Sequence, residues 1–348
     1  MIPVRNIYYM LSYAFQILNE NGYSDIATEN FNNAAELFAA ILSKGISVQL
    51  KRGLNKDYIE IGEPLSAIKG KIDVSDSIKT RSIMKSRLVC SYDEFSENSY
   101  FNRILKTTVF LLLKTDISKA RKKELKNLMM FFSYVDLLDI HAIDWRIRYN
   151  KNNRSYHLLL SICNLVIKGL LQTQSDGTTK LMTFLDEQRE CRLYEKFILE
   201  YYRKHFPMLS VNPEQIAWQL DDEEHGMLPI MQSDILLRKD NHILIIDAKY
   251  YLHNTQEQYG THTLHSANLY QIFTYVKNKE YELKDKEHHV SGMLLYAKTD
   301  ESVQPDNSYI MSGNRISVKT LDLNLPFEEI SQQLNVIIKD EFDLWKQN

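Results

Sequence analysis

At 348 residues the chain is long enough for two domains, or one large one, and its 44% hydrophobic and 25% charged residues are those of an ordinary globular protein. With 42 basic and 45 acidic residues its net charge is -3, which excludes a general electrostatic attraction to nucleic acid and leaves any such role to a local patch or site. Cys90, Cys163 and Cys191 form no CxxC pair and leave one thiol over in any disulfide scheme, and no apolar run is long enough to span a bilayer, so a cytoplasmic protein without membrane contact is expected.

The opening stretch MIPVRNIYYMLSYAF carries Arg5 early and has no signal-peptide cleavage pattern. Pro3 suits a helix start, and Ile7, Met10, Leu11, Ala14, Ile17 and Leu18 recur at helical spacing over residues 3–20. A second helix is predicted from Asn33 to Leu42, then a strand in GISVQLKRGL, where Ile46, Val48 and Leu50 alternate. Residues 58–92 read as short strands and turns. Lys69, Lys71, Lys79, Arg81, Lys85 and Arg87 lie there, a cationic run that suits nucleic acid, an acidic protein surface or simply water. Helical periods return in NRILKTTVFLLLK, SKARKKELKNLMMFF and Tyr156 to Leu171.

The polar segment QTQSDGTTK, residues 172–180, lacks periodicity and is the predicted linker. It divides the chain into an N-terminal α+β domain with short strands, residues 1–175, and a C-terminal domain, residues 180–348. In the latter follow a helix at 192–206, a strand pair in SDILLRKDNHILIIDAKYY, a helix at 266–278, strands at Gly292–Ala297 and Arg315–Leu321, and a closing amphipathic helix. Strands and helices in that order indicate an α/β fold, a mixed sheet flanked by helices.

The strand pair holds the strongest chemical signal. A turn at Asp240-Asn241 pairs Ile235 with Ile246 and sets Asp234 opposite Asp247. Directly opposed like charges are destabilising. Lys249 projects from the same face, two residues beyond Asp247. Mg²⁺, a hard cation held by carboxylates, water and phosphate, is the natural further partner, with Mn²⁺ able to substitute. The tripeptide alone carries little information, since Glu124-Leu125-Lys126 and Glu282-Leu283-Lys284 share its pattern in charged helices. Its place at the end of an apolar strand, opposite a second acid, distinguishes it. An Asp followed by a hydrophobic strand ending in Asp-x-Lys resembles the PD-(D/E)xK nuclease superfamily, although Gln232-Ser233 stands where the motif has Pro. The resemblance implies Mg²⁺-dependent phosphodiester cleavage.

In RLYEKFILEYYRKHF, Glu195 falls inside the apolar arc of the helix and Glu200 outside it, so Glu195 is the better candidate for a helical acid at the site; a structural hydrogen bond is the alternative. Gln271 and Tyr275 share a helix face at i and i+4, which resembles the Gln-xxx-Tyr helix of the RecB-like branch. His253, His262 and His265 lack a cysteine partner, and a solvated polar loop is the expectation there rather than zinc.

Ile2 through Leu11, Ile68-Lys69-Gly70-Lys71-Ile72, Asn102 through Lys106, Leu193 through Phe197, Asp247 through Tyr251 and His265 through Gln271 resemble the McrC family, the nuclease subunits of McrBC restriction systems. That resemblance implies an endonuclease acting on double-stranded DNA with modified cytosine, together with an McrB-like AAA+ GTPase ring that it enters and stimulates. The chain contains no G-x-x-x-x-G-K-[ST] loop, so it is not expected to bind nucleotide itself in that way. The strand-rich segment 45–92 is the candidate ring contact. In this scheme Asp234, Asp247, the Ala248 carbonyl and Glu195 form the metal shell. Lys249 is catalytic beside Asp234, Asp247 and Glu195, while Gln271 and Tyr275 position DNA. A non-catalytic activator of an AAA+ ring and a RecB-like repair nuclease are the competing readings.

Overall fold

A computed structural model describes residues 3–15, 31, 33–150, 153–176, 187–222, 226–251, 253–258 and 261–342. The chain divides into two compact units, one formed by Met1–Asn30 with Leu185–Asn348 and the other by Phe31–Phe184. Helix α1 (Val4–Ala14) opens the first of these; Ile17 and Leu18 of the predicted helix lie outside the described residues.

The Phe31–Phe184 unit begins with α2 (Ala34–Arg52), whose start is capped by Asn33 Oδ1 accepting from the Glu36 N–H at 2.9 Å, and which stops at Gly53, φ 91°. The strand predicted from Ile46 to Leu50 is therefore corrected: these residues continue the helix. Ile46 and Gln49 are buried while Val48 is not, a three-residue spacing that a two-residue alternation of apolar letters concealed. Then come β1 (Asp57–Leu65), β2 (Lys71–Asp73), α3 (Val74–Lys79) and β3 (Leu88–Ser96), with the strands antiparallel in the order β1-β3-β2. Gly70 precedes β2 at φ 72°, and a Cβ there would run into the Ser91 carbonyl and Tyr92 Cβ. Only glycine meets both demands.

Helices α4 (Tyr100–Leu112), α5 (Lys119–Met129) and α6 (His157–Asp176) complete this unit; α4 packs on α6, and α2 on α4, α5 and α6. Buried Asn102 ties loops to α4, donating to Asn55 O at 2.9 Å and Glu97 O at 2.8 Å while accepting from Tyr156 OH at 3.0 Å. The predicted linker begins inside α6, which runs to Asp176; residues 177–180 lie outside the described residues.

In the other unit, α7 (Glu187–His205) leads into β4 (Ser210–Asn212), the pair β5 (Gln215–Ile216) and β6 (Met231–Gln232), and the hairpin β7 (Ile235–Lys239) and β8 (His242–Lys249). A second hairpin, β9 (Thr255–Gln258) and β10 (Thr261–Leu264), precedes α8 (Ser266–Glu282); β11 (His289–Ala297), β12 (Asn307–Met311), β13 (Asn314–Leu321) and α9 (Phe327–Phe342) follow. Six strands form one mixed sheet, ordered β12-β13-β11-β8-β7-β4, in which β8, β11 and β13 run parallel and the remaining pairs antiparallel. The predicted α/β class and helix-flanked mixed sheet are thus what the chain forms.

Helix α8 covers one face, where Ile272, Tyr275 and Val276 pack on Leu236, Ile243, Ile245, Val290, Leu294 and Ile316. Gly292 permits this approach: a Cβ there would lie 2.7 Å from Val276 Cγ2 and 2.9 Å from Ile272 Cγ1. On the opposite face, Glu341 of α9 accepts from Ser291 Oγ at 3.1 Å, and Tyr202 of α7 donates to Leu334 O at 3.3 Å. Helix α1 packs on α7; Tyr9 stacks on Phe327 at 4.2 Å, and Asn6 Nδ2 donates to Leu323 O at 2.7 Å and Leu325 O at 2.8 Å. Residues 4–14 therefore group with the C-terminal unit, unlike the 1–175 division read from sequence. The apolar stripe of α1 is closed by partners roughly 190 or more residues away, which local sequence does not reveal.

Candidate functional site

The β7–β8 ladder pairs Ile235 with Ile246, Leu237 with Leu244 and Lys239 with His242, with Asp240 taking φ 53° at the turn. One step beyond Ile235 this register brings Asp234 beside Asp247. Asp234 Oδ2 accepts from the Ala248 N–H at 2.9 Å, so the backbone after Asp247 fixes the first acid. Along β8, Ile243, Ile245, Asp247 and Lys249 share the face that α8 covers. The acids consequently sit where an apolar strand gives way to polar chemistry; Asp247 is only 1% exposed.

Lys249 Nζ lies 2.7 Å from Asp247 Oδ2 and donates to Gln271 Oε1 at 3.1 Å; Gln271 Nε2 in turn donates to Tyr275 OH at 2.9 Å. Both ends of the Gln271 amide are thereby engaged within the protein, and Tyr275 is buried. The side chains predicted to position DNA here hold Lys249. One N–H and one lone pair of the Gln271 amide remain for a further partner.

Burial and the neighbouring charge of Asp247 push the Asp234 carboxyl up to about 8. Glu195, half-buried on α7, is raised chiefly by burial; Lys249 opposes that shift and Asp247 adds to it. Burial disfavours the Lys249 ammonium, yet Asp247 and Asp234 outweigh it and hold the lysine protonated. Asp247 Oδ2 is buried with no hydrogen bond of proper geometry, its lysine neighbour serving as an ion pair. A buried carboxylate oxygen with an undersatisfied lone pair, next to a second acid, is a hard-oxygen donor set suited to a divalent cation. Among the described residues no three His, Cys, Asp or Glu side chains make a ready-formed metal cage, and Glu195 lies near enough to Asp247 and Lys249 for their charges to shift it.

Glu200 has other partners. It accepts from Arg203 Nη1 at 2.7 Å, and the same guanidinium reaches Val211 O and Asn212 Oδ1, binding α7 to β4. His262 meets Thr255 Oγ1, His265 meets His253 O, and His253 faces Glu301, so the three histidines serve the β9–β10 hairpin. Sequence reasoning missed Asn268, which donates to Tyr296 OH at 2.9 Å and accepts from Tyr251 OH at 3.3 Å. Tyr296 pairs with Lys249 in the β8–β11 register. The available signal was Asn268 standing three residues before Gln271, on the same helix face.

Residues 4–297 match the family described as McrBC 5-methylcytosine restriction system component. The Type IV methyl-directed restriction enzyme EcoKMcrBC of Escherichia coli (strain K12) is 30% identical over 350 residues, with 98% of each chain covered. Among solved structures, a half-complex from a tetradecameric assembly of Thermococcus gammatolerans McrB AAA+ hexamers with bound McrC aligns with 97% of this chain and 76% of that one, at 16% identity and a TM-score of 0.49. The Thermococcus gammatolerans McrBC complex aligns over 58% of each chain at 17% identity and a TM-score of 0.38.

Proposed function

The chain belongs to the McrBC family of 5-methylcytosine restriction system components, and on that premise we propose that it is the cutting subunit of such a system. It is a Mg²⁺-dependent DNA endonuclease of the PD-(D/E)xK kind, cleaving DNA with modified cytosine in complex with an McrB-like AAA+ ring whose GTP hydrolysis it stimulates. The observation that carries this reading is the pairing of Asp234 and Asp247 beside Lys249 at the end of β8.

Asp234 and Asp247 would hold the metal, with the Ala248 carbonyl and Glu195 extending the shell. When bound, such an ion acidifies water and offsets charge on a phosphoryl group. The remaining chemistry belongs to the chain itself. Lys249, kept protonated by Asp247, presents a positive charge to the anionic phosphate as it becomes five-coordinate. Gln271, braced by Tyr275, fixes the direction of that ammonium. Segment 45–92 remains the proposed contact with the ring.

The adaptor reading accounts for the N-terminal half but gives no reason for two buried acids to oppose each other, at a cost that a purely structural strand end would not retain. A RecB-like repair nuclease shares the site but not the family. In a cleavage assay with GTP, Mg²⁺ and the partner, Asp247→Ala is expected to abolish cutting of methylated DNA while stimulated GTP hydrolysis persists. Retained cutting would sink the assignment. Cutting of unmethylated DNA by the wild-type chain without partner would remove the restriction reading.

A further inference from the structure

Helix α5 concentrates positive charge in a chain that is net negative. At 3.6 residues per turn, Lys119, Lys122, Lys123 and Lys126 fall within an arc of about 100°. Three of the four are exposed and Lys122 is partly so. None has an ion-pair partner among the described residues. The acid of the helix lies apart: Glu124 takes Arg121 Nη1 at 2.7 Å, and Arg121 also faces Glu36 at 3.7 Å. Leu125 and Met129 are buried against the rest of the unit, and the lysine arc runs from Lys122, beside Met129, round to the exposed side of the helix.

A solvated lysine face needs nothing beside it, but this one continues into apolar side chains. Met130 is 73% exposed, Phe131 63% and Tyr134 87%. They are not a frayed end. Lys106, from α4, donates to Phe132 O at 2.9 Å and Val135 O at 2.5 Å, and buried Phe132 anchors the turn, so Phe131 and Tyr134 are presented on a fixed support.

We propose that this face of α5 and the turn after it form a second, sequence-independent contact for the duplex DNA substrate. The lysines span about 10 Å along the helix. Over that length a duplex carries on the order of six phosphate charges. Lysine ammonium groups meet the phosphates as point charges, and Tyr134 and Phe131 lie against the apolar faces of the sugars. The identity of the ligand rests on the DNA substrate proposed above; the surface does not use the acid pair.

The test measures binding of the full chain to a short unmodified duplex, by fluorescence anisotropy without GTP or divalent cation, as salt is raised from about 50 to 200 mM. Combined Lys119→Gln, Lys122→Gln, Lys123→Gln and Lys126→Gln should weaken binding at least tenfold at the low-salt end. It should also make the slope of log affinity against log salt shallower by about 3.6, near 0.9 for each of the four phosphates no longer neutralised. Tyr134→Ala should weaken binding several-fold with the slope unchanged. A thermal melt like the wild type's shows that these surface changes leave the fold intact. The proposal is overturned if the wild-type chain does not bind the duplex, or if the four-lysine variant keeps its affinity and slope. Loss of association with the partner GTPase at an unchanged DNA slope also overturns it, in favour of an acidic protein surface. No cutting is measured, so failure here leaves the nuclease assignment standing, and active-site variants leave this surface standing.

Discussion

Asp234 has a folded-state pKa of about 8 against an ordinary 3.8, because burial and Asp247 both disfavour its charge. Between those two values the folded chain binds more protons than the unfolded one, so stability falls as pH rises through that window. Asp234→Asn keeps an acceptor for the Ala248 N–H and removes the like charge. Without divalent cation, that variant is expected to be more stable than wild type at pH 8, by about 1 to 3 kcal/mol, and little changed at pH 4. Calorimetric melting at the two pH values measures this; a destabilised variant at pH 8 contradicts the like-charge account. Adding Mg²⁺ should narrow the difference by stabilising only the wild type. At this scale the sequence was informative: strand alternation and hairpin register were enough to bring Asp234, Asp247 and Lys249 together. The burial of Glu200 against Arg203 was not legible, since it depends on where β4 meets α7.

Helix α8 shows where pattern reading stops. Its start and its Gln271–Tyr275 face followed from periodicity, although the helix runs to Glu282 rather than stopping near residue 278, and the direction of the Gln271 amide depends on how closely the helix sits on β8 and β11, which Gly292 sets. Gln271→Leu should remove the second anchor of Lys249 and lower the cleavage rate about tenfold or more with DNA affinity retained. Weaker DNA binding at an unchanged rate would instead make Gln271 a substrate contact, and single-turnover cleavage beside binding separates the two. Helix α2 teaches the opposite lesson. Ile46, Val48 and Leu50 alternate, yet an asparagine cap at one end and Gly53 at the other enclose 19 residues of helix, and the cap signals outweigh a three-letter alternation.

For the molecule as a whole, the unit that carries the acids is discontinuous in sequence. Asn6 is buried and satisfies two carbonyls beyond β13, at Leu323 and Leu325. Asn6→Ala leaves both without that donor and is expected to cost about 1 to 3 kcal/mol, measured as a lower denaturation midpoint of the full chain. A midpoint equal to wild type would mean that water replaces the amide. No local pattern joins residue 6 to residue 323; only the unpartnered apolar stripe of the first helix hinted that something distant had to cover it.

That arrangement bears on how the chain is made. The first helix leaves the ribosome well before the strands and helices it closes against, with the Phe31–Phe184 unit, some 150 residues, emerging between them. At roughly 5 to 20 residues per second, that unit alone takes on the order of 10 to 30 s, and Leu323, Leu325 and Phe327, which also close on the first helix, follow later still. The intervening unit has all its own contacts in hand during that interval and can fold first, while Tyr8, Met10 and Leu11 stay uncovered until translation is nearly over. The half-made protein thus exposes an amphipathic helix whose apolar side has no cover yet, and a chaperone that binds short apolar segments would find a target there.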